Sequence, residues 1–401
     1  MGCREDVPGW HEATKDAQQE GKVKMIGIIE EQHPDRARLF MQWKQMNWPI
    51  LVDSLNLLGV EAVPITLTID ESGIIRAINP EKQTIGRTFL DKNYEKPASA
   101  ISTATKPDLL RLKAATDSGT AESWRIYADG LALWGTTHQL GEAIDAYQRA
   151  LEKEPAHGPT AFRLGTTFRK RYDSGERRRD DFGKAVEYWE MALSLNPNQY
   201  IWRRRLQQYG PRLEKPYSFF DWVITARKEI QSRGQTPVQL TVEPGGAEFA
   251  QPSKQFERTS VTRSSPDPSG RILRDKERFI EIETTMVPPT VAPGNTVRVH
   301  VLLRPDGQSK AHWNNEAQEL VFWIDPPPDW EVTDRYLTFP NPREPLSVET
   351  REIEFEMKCP NSFTQGIASV PAYALYYVCE GVNGTCLYRR QDVRIQLQVR
   401  R

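Results

Sequence analysis

The side chains with most chemical potential in this 401-residue chain are its four cysteines, Cys3, Cys359, Cys379 and Cys386. Cys379 and Cys386 bracket the stretch Glu-Gly-Val-Asn-Gly-Thr and stand between two strand-like runs, 372–378 and 387–399. Asn383-Gly384 is a strong hairpin signal. A turn centred between Val382 and Asn383 sets the cysteines directly opposite. A two-residue Asn383-Gly384 turn sets Cys379 opposite Tyr388, with Cys386 on the diagonal. Both registers keep the sulfurs on one face, because residues two apart on a strand share a face. A disulfide is within reach of either. The pair could exchange electrons with other thiols, clip the hairpin, or be two incidental thiols. A bridge closing so small a ring adds less through loop entropy than one closing a long loop, which favours redox chemistry. Cys359 precedes Pro360 without a near partner and reads as structural.

Composition excludes several other chemistries. The chain is 38% hydrophobic and 27% charged with a net charge of −1, which argues against general nucleic-acid affinity. The triplet Arg177-Arg178-Arg179 is followed by Asp180 and Asp181 and reads as a solvated surface. A second basic triplet is Arg203-Arg204-Arg205. There is no run of 18 apolar residues to span a membrane. No signal peptide is expected within the chain, and Asp6 spoils the myristoylation pattern of Met1-Gly2-Cys3. The six histidines are scattered without ligand spacing, so no metal ligand set is expected. Phosphate-cradling and Ser/His/Asp patterns are absent, so no cofactor is expected either.

The elements that would position the cysteines fall into three stretches. Residues 1–98 alternate helical and strand patterns, as an α/β unit does. Trp10, Ala13 and Ala17 lie at helical spacing. The apolar run 23–29 predicts a strand buried on both faces, residues 34–46 a helix, and 49–53 a short strand. Leu55 to Gly59 predicts a helical turn, and 65–70 with 73–76 a hairpin about Glu71-Ser72. Cys3 at a helix start, Pro64 after Val63, and Asp70 with Gly73 in the hairpin make this region resemble the TlpA-type disulfide reductases and their peroxiredoxin relatives, which have a thioredoxin-like fold. The resemblance implies a cis Pro64 beside a redox centre, and a helix N-terminus that lowers the Cys3 thiol pKa. It also implies that Cys3 is the second cysteine of a Cys-x-x-Cys turn. A truncated reading of a longer protein is therefore expected, with a cysteine or selenocysteine before Met1 and a central strand before that.

Residues 92–120 read as a connector with one short helix. An all-α stretch follows over 120–232. Ala143, Tyr147, Ala150 and Pro155 share their offsets with Ala185, Trp189, Ala192 and Pro197, the spacings of a tetratricopeptide second helix, and Leu164-Gly165 with Phe168 matches a first helix. The units are 42 residues apart, so a long loop is expected at 172–181. Helices at 201–209 and 219–230 would cap the stack. Such repeats serve as a spacer or as a groove for a peptide partner.

From Val238 the pattern shifts to period two, with Val297, Val299, Val301, then Ile353, Phe355, Met357, then Val393, Ile395, Leu397, Val399. Residues 319–324 add an apolar run, and 245–270 read as a long loop. An all-β, immunoglobulin-like sandwich over 236–401 is the expectation. Tyr376-Tyr377-Val378-Cys379, Cys386 and the final strand resemble the cysteine-bearing hairpin in the N-terminal domain of DsbD-type thiol–disulfide interchange proteins. That resemblance implies exchange with thioredoxin-fold partners and other protein thiols, and with the first it suggests the bacterial periplasm or cell envelope. His312-Trp313-Asn314-Asn315 reads as a surface turn, with a contribution to the redox pocket as the alternative. The expected function is thiol–disulfide exchange, with Cys3, Pro64, Cys379 and Cys386 as site residues. The alternatives are a repeat-based interaction scaffold with a degenerate redox domain, or a peroxiredoxin-like peroxidase.

Overall fold

A computed structural model of the chain describes residues 2–95, 105–211, 222–241, 264–364, 366–381 and 384–400. Two compact units emerge. The first comprises Met1–Arg177, Tyr188–Arg205 and Tyr217–Ala250, the second Arg178–Glu187, Leu206–Pro216 and Gln251–Arg401. Helices and short sheets share the first unit, while longer strands dominate the second.

The first unit begins with α1 (Gly2–Gln19), β1 (Gly27–Ile29), α2 (Asp35–Lys44), β2 (Ile50–Val52), β3 (Leu67–Ile69) and β4 (Ile75–Ile78). β1 pairs with β2 in parallel and β3 with β4 antiparallel, as two separate two-stranded sheets. The run 23–29 is therefore not the doubly buried strand that its composition suggests. Only three of its residues are strand, and Ile26 and Ile28 are about half exposed, as are Leu51 and Ile69. A two-stranded sheet is too narrow to be covered on both faces. Residues 55–59 form turns where a helical turn was expected, because the Asp53 carboxylate accepts from the Leu57 and Leu58 amides at 2.8 and 2.9 Å. The hairpin at 70–74 is held as its composition predicts. Asp70 accepts from the Ser72 and Ile74 amides, and Gly73 takes a φ of +78° that glycine tolerates.

Helices α3 (Leu109–Ala115), α4 (Ala121–Trp134), α5 (Leu140–Lys153), α6 (Gly158–Tyr172), α7 (Asp181–Leu195), α8 (Tyr200–Gln207) and α9 (Trp222–Ser232) follow. Asp108 and Thr120 cap α3 and α4 with their side-chain oxygens. The repeated positions are buried in both units of the repeat: Ala143, Tyr147 and Ala150 on α5, Ala185, Trp189 and Ala192 on α7. Small alanines admit close helix approach, and the aromatics fill the remaining space. Val238 and Leu240 do not open a sheet. They pack with α2 and α9 around Leu39 and Trp222.

Arg205, the last residue of the second basic triplet, is buried rather than solvated. Its guanidinium donates to Gln32 Oε1 at 2.6 Å, to Thr166 Oγ1 at 3.2 Å, and to the Glu30 and Ser54 carbonyls at 3.3 Å. It also lies over the Phe162 ring. One side chain thus ties α8 to α6 and to the segments following β1 and β2.

The second unit holds β5 (Ile280–Val287), β6 (Thr290–Val291), β7 (Thr296–Pro305), β8 (His312–Asn314), β9 (Leu320–Ile324), β10 (Glu331–Val332), β11 (Tyr336–Phe339), β12 (Leu346–Ser347), β13 (Arg351–Lys358), β14 (Gly366–Cys379) and β15 (Cys386–Val399). One sheet runs β10-β13-β7-β5. The other runs β11-β9-β14-β15-β6, with β8 on β14 and β12 on β8. Both sheets contribute to a single apolar core, Val299, Val301 and Phe355 from the first and Phe322, Val370 and Ile395 from the second. β13 alternates as expected, but β7 is buried on both faces from Val297 to Leu303. Phe182 and Tyr209 account for this, since Phe182 packs edge-on against His300, whose ring meets the Tyr209 carbonyl. The loop expected over 245–270 lies largely outside the described residues.

Two expectations follow. Arg205→Ala should lower the first unit's stability by about 3 kcal/mol, because it strands buried acceptors; urea unfolding followed by far-UV circular dichroism measures this. His33, buried beside Asp173 at 3.7 Å, is pushed down by burial to about 4. Nearby Arg169 and Arg36 depress it further, against Asp173 and Asp35. The unfolded chain binds this proton first, so His33 stabilises fully above about pH 6.5, and that contribution falls as pH drops toward 4, by up to about 3 kcal/mol. Glu30 runs the opposite way: burial first and then Asp53 push it up to about 7. Between pH 6.5 and 4.5 the two slopes oppose one another. His33→Asn should therefore gain stability relative to the parent as pH falls, and Glu30→Gln should lose it.

Candidate active site

The β14–β15 hairpin pairs Cys379 directly with Cys386, the first of the two registers open to the sequence. The cysteines form a disulfide, with Cα atoms 3.9 Å apart. Alternation decides what surrounds it. Val370, Ala372, Ala374, Tyr376 and Val378 point into the shared core, so Tyr373, Leu375, Tyr377 and Cys379 occupy the opposite face. There a second apolar cluster gathers Trp323, Tyr373 and Leu375, with Tyr336 and Tyr388 against it.

One step along the ladder from the disulfide, Tyr377 stands opposite Tyr388. Their rings stack at 4.4 Å between centroids. Burial, then the Tyr377 and Tyr336 hydroxyls, hold the Tyr388 phenol above its ordinary value, so it stays a neutral donor. Further along, Arg390 lies over the Tyr373 ring at 3.7 Å and pairs with Asp267 and Asp392. On the far side of Cys379, β8 places His312 at the matching register position, and Trp313, opposite Val378, enters the core. His312 therefore shares the disulfide's face. The stretch expected as a surface turn is a strand, recruited by the free edge of β14 beyond its pairing with β9.

Exposure is unequal across the bond. Cys379 is buried at 1% and Cys386 is exposed. A reagent from solvent meets the Cys386 sulfur first, and the Tyr377–Tyr388 stack flanks one side.

Cys3 and Pro64 lie in the first unit, so the structure brings two of the four sequence-derived site residues together. Cys3 sits in the first turn of α1, where a lowered thiol pKa was expected. Cys3 is exposed as a residue, yet partial desolvation of its thiol raises it instead, and the Asp6 carboxylate adds to this against a backbone hydrogen bond. The Val63–Pro64 peptide is cis, and Pro64 is exposed. Cys359 is fully buried in the shared core with a free thiol, in keeping with a structural role. No helix among the described residues is long and apolar enough to cross a membrane.

The sequence matches no family model, and it matches no characterised protein. Among solved structures, a Porphyromonas gingivalis protein of unknown function aligns at 14% identity and a TM-score of 0.19, covering 30% of this chain and 47% of that one. A sporulation control protein from Bacillus subtilis aligns at 10% and 0.16, covering 31% and 50%. The chain thus spans about half the length of each. The Pseudomonas fluorescens alkylpurine DNA glycosylase AlkC, solved on DNA with an abasic-site analogue, aligns at 10% and 0.17, covering 73% and 63%. Overlaps this loose carry no argument about fold or function.

Fourteen residue pairs hold β14 to β15 independently of the bond at its end. Reduction with dithiothreitol should leave the second unit folded, with its near-UV dichroism largely retained. Unfolding stability should fall by only about 2 kcal/mol, the loop-entropy value for so short a ring.

Proposed function

We propose that the chain is a thiol–disulfide oxidoreductase working through Cys379 and Cys386. The observation that carries this reading is the asymmetric disulfide on the outer face of the sheet, which joins an exposed residue, Cys386, to a buried one, Cys379. A bridge needed only as a clip gains nothing from presenting one sulfur to solvent, and its short ring contributes modestly beside so long a ladder.

The exchange step follows from that asymmetry. A partner thiolate attacks the Cys386 sulfur in line with the disulfide; a new S–S bond forms to Cys386 and the Cys379–Cys386 bond breaks. The electron pair leaves on Cys379, where burial disfavours a thiolate, so the sulfur takes up a proton. His312 stands at the adjoining register position on the same face and is our candidate for supplying it. A second thiol of the partner then resolves the mixed disulfide, leaving the pair reduced and the partner oxidised; the reverse sequence oxidises the pair. We read the first unit's N-terminal stretch as thioredoxin-like, its paired helices as tetratricopeptide-like and the second unit as an immunoglobulin-like sandwich, on the residue patterns given above. In that reading Cys3, with its raised thiol, resolves rather than attacks.

The test is trapping. With a dithiol protein such as thioredoxin supplied in its disulfide form, the Cys386 thiolate of Cys379→Ser should attack that disulfide and accumulate a mixed disulfide as one partner sulfur leaves as a thiolate, and Cys386→Ser should yield little. His312→Ala should slow reduction about a hundredfold or more, the usual span for a positioned acid, while leaving the melting temperature near the parent's. If the parent, Cys379→Ser and Cys386→Ser all behave alike in trapping and in exchange with a dithiol peptide, the interaction-scaffold reading replaces this one.

A further inference from the structure

On the outer face of the β10-β13-β7-β5 sheet, three side chains converge that the redox chemistry does not use. His300 on β7 pairs across the ladder with Glu354 on β13, and Glu352 is two residues along on the same face. His300 Nδ1 is 2.9 Å from Glu354 Oε1 and 3.5 Å from Glu352 Oε1. The three donor atoms all lie within 4.8 Å of one another.

The protonation of the ring can be worked out. His300 Nε2 is 2.8 Å from the Tyr209 carbonyl oxygen, which only accepts, so Nε2 carries the hydrogen. In the neutral ring Nδ1 then presents a lone pair. His300 is 4% exposed and packs beneath Phe182. Nδ1 is accordingly a buried atom without a hydrogen-bond partner. The buried ring nitrogen and the two carboxylates thus present their donor atoms to one small space, with Arg298 on the far oxygen of Glu354.

We propose that His300, Glu352 and Glu354 form a binding site for a divalent transition-metal cation of the zinc class. One imidazole and two carboxylates suit such an ion, which binds nitrogen and oxygen at about 2.0–2.2 Å and so sets its ligand atoms roughly 3.4 Å apart. The neutral tautomer required of a metal-bound histidine is already fixed by the Tyr209 carbonyl, a common outer partner. Arg298 donates to Glu354 Oε2 and orients that carboxylate, leaving Oε1 toward the site. Its positive charge lowers affinity without blocking the donor set. Both glutamates are exposed, so an ion has a path from solvent, and a water molecule can complete the coordination.

The full-length chain with its disulfide oxidised, carrying Cys3→Ser to remove the exposed thiol, would be titrated calorimetrically with zinc chloride at pH 7. We expect one saturable site per chain and a rise in melting temperature with zinc. Glu352→Gln and Glu354→Gln, both at the exposed rim, should each weaken binding by at least about tenfold, the lower bound for disturbing even an outer partner, and should abolish the thermal shift. His300→Gln alters a buried, packed ring and tests folding together with binding, so the glutamate variants decide. Absence of saturable uptake would overturn the proposal in favour of a proton alone bridging the three groups. Unchanged affinity in both glutamate variants would overturn it too.

Discussion

The second unit depends on the β14–β15 ladder. Fourteen consecutive antiparallel pairs lock two strands in one register, and a shift of one residue would reverse every side chain between core and surface. Everything else in that unit is referred to this ladder. Val370, Ala372, Ala374 and Tyr376 enter the core because they occupy one parity, and Cys379, Tyr377 and Leu375 face away because they occupy the other. The disulfide is the last pair of the ladder, so its placement is a consequence of core packing many residues away.

That logic explains what could be read from sequence. Alternation in 353–357 and 393–399 reported half-buried strands, because one face of each does meet the core. The pairing of Cys379 with Cys386 was one of two registers open to the sequence; both have the same parity, so the core face left the choice open, and the ladder takes the one that sets the cysteines directly opposite. The matched alanines and aromatics on α5 and α7 were legible for a similar reason, since burial of a helix face requires them at fixed offsets. The strand that holds His312 was not legible: three residues beside Pro- and Gly-containing turns carry too little pattern, and the register partner Cys379 is far along the chain, so a surface turn outweighed a place beside the redox pair.

Other departures trace to long-range packing. β7 reads as alternating, yet its outer face is covered by Phe182 and Tyr209 from distant segments, so His300 is buried. Sequence spacing could not reveal a ligand set made from one histidine and two glutamates more than fifty residues on. Run 23–29 erred in the opposite direction. Its apolar composition predicted two covered faces, but β1 has β2 as its sheet partner and Ile26 and Ile28 remain open to solvent. Arg205 shows the same limit for charge: next to Arg203 and Arg204 it resembles surface, but Gln32, Thr166 and two carbonyls take it inside.

The position of the disulfide at the tip of the ladder bears on how oxidation state would be communicated. On the proposed redox reading, a ladder of this length would keep the strands zipped with the sulfurs apart, and a change of oxidation state would not spread through the fold. It is confined to the loop between Cys379 and Cys386 and to the aromatic pair beside it. A partner distinguishing the two states must read that tip at close range, by its shape and by the hydrogens the freed thiols acquire. On that reading the record of oxidation would be local texture at one end of the ladder, with little mechanical gain and little cost to the framework.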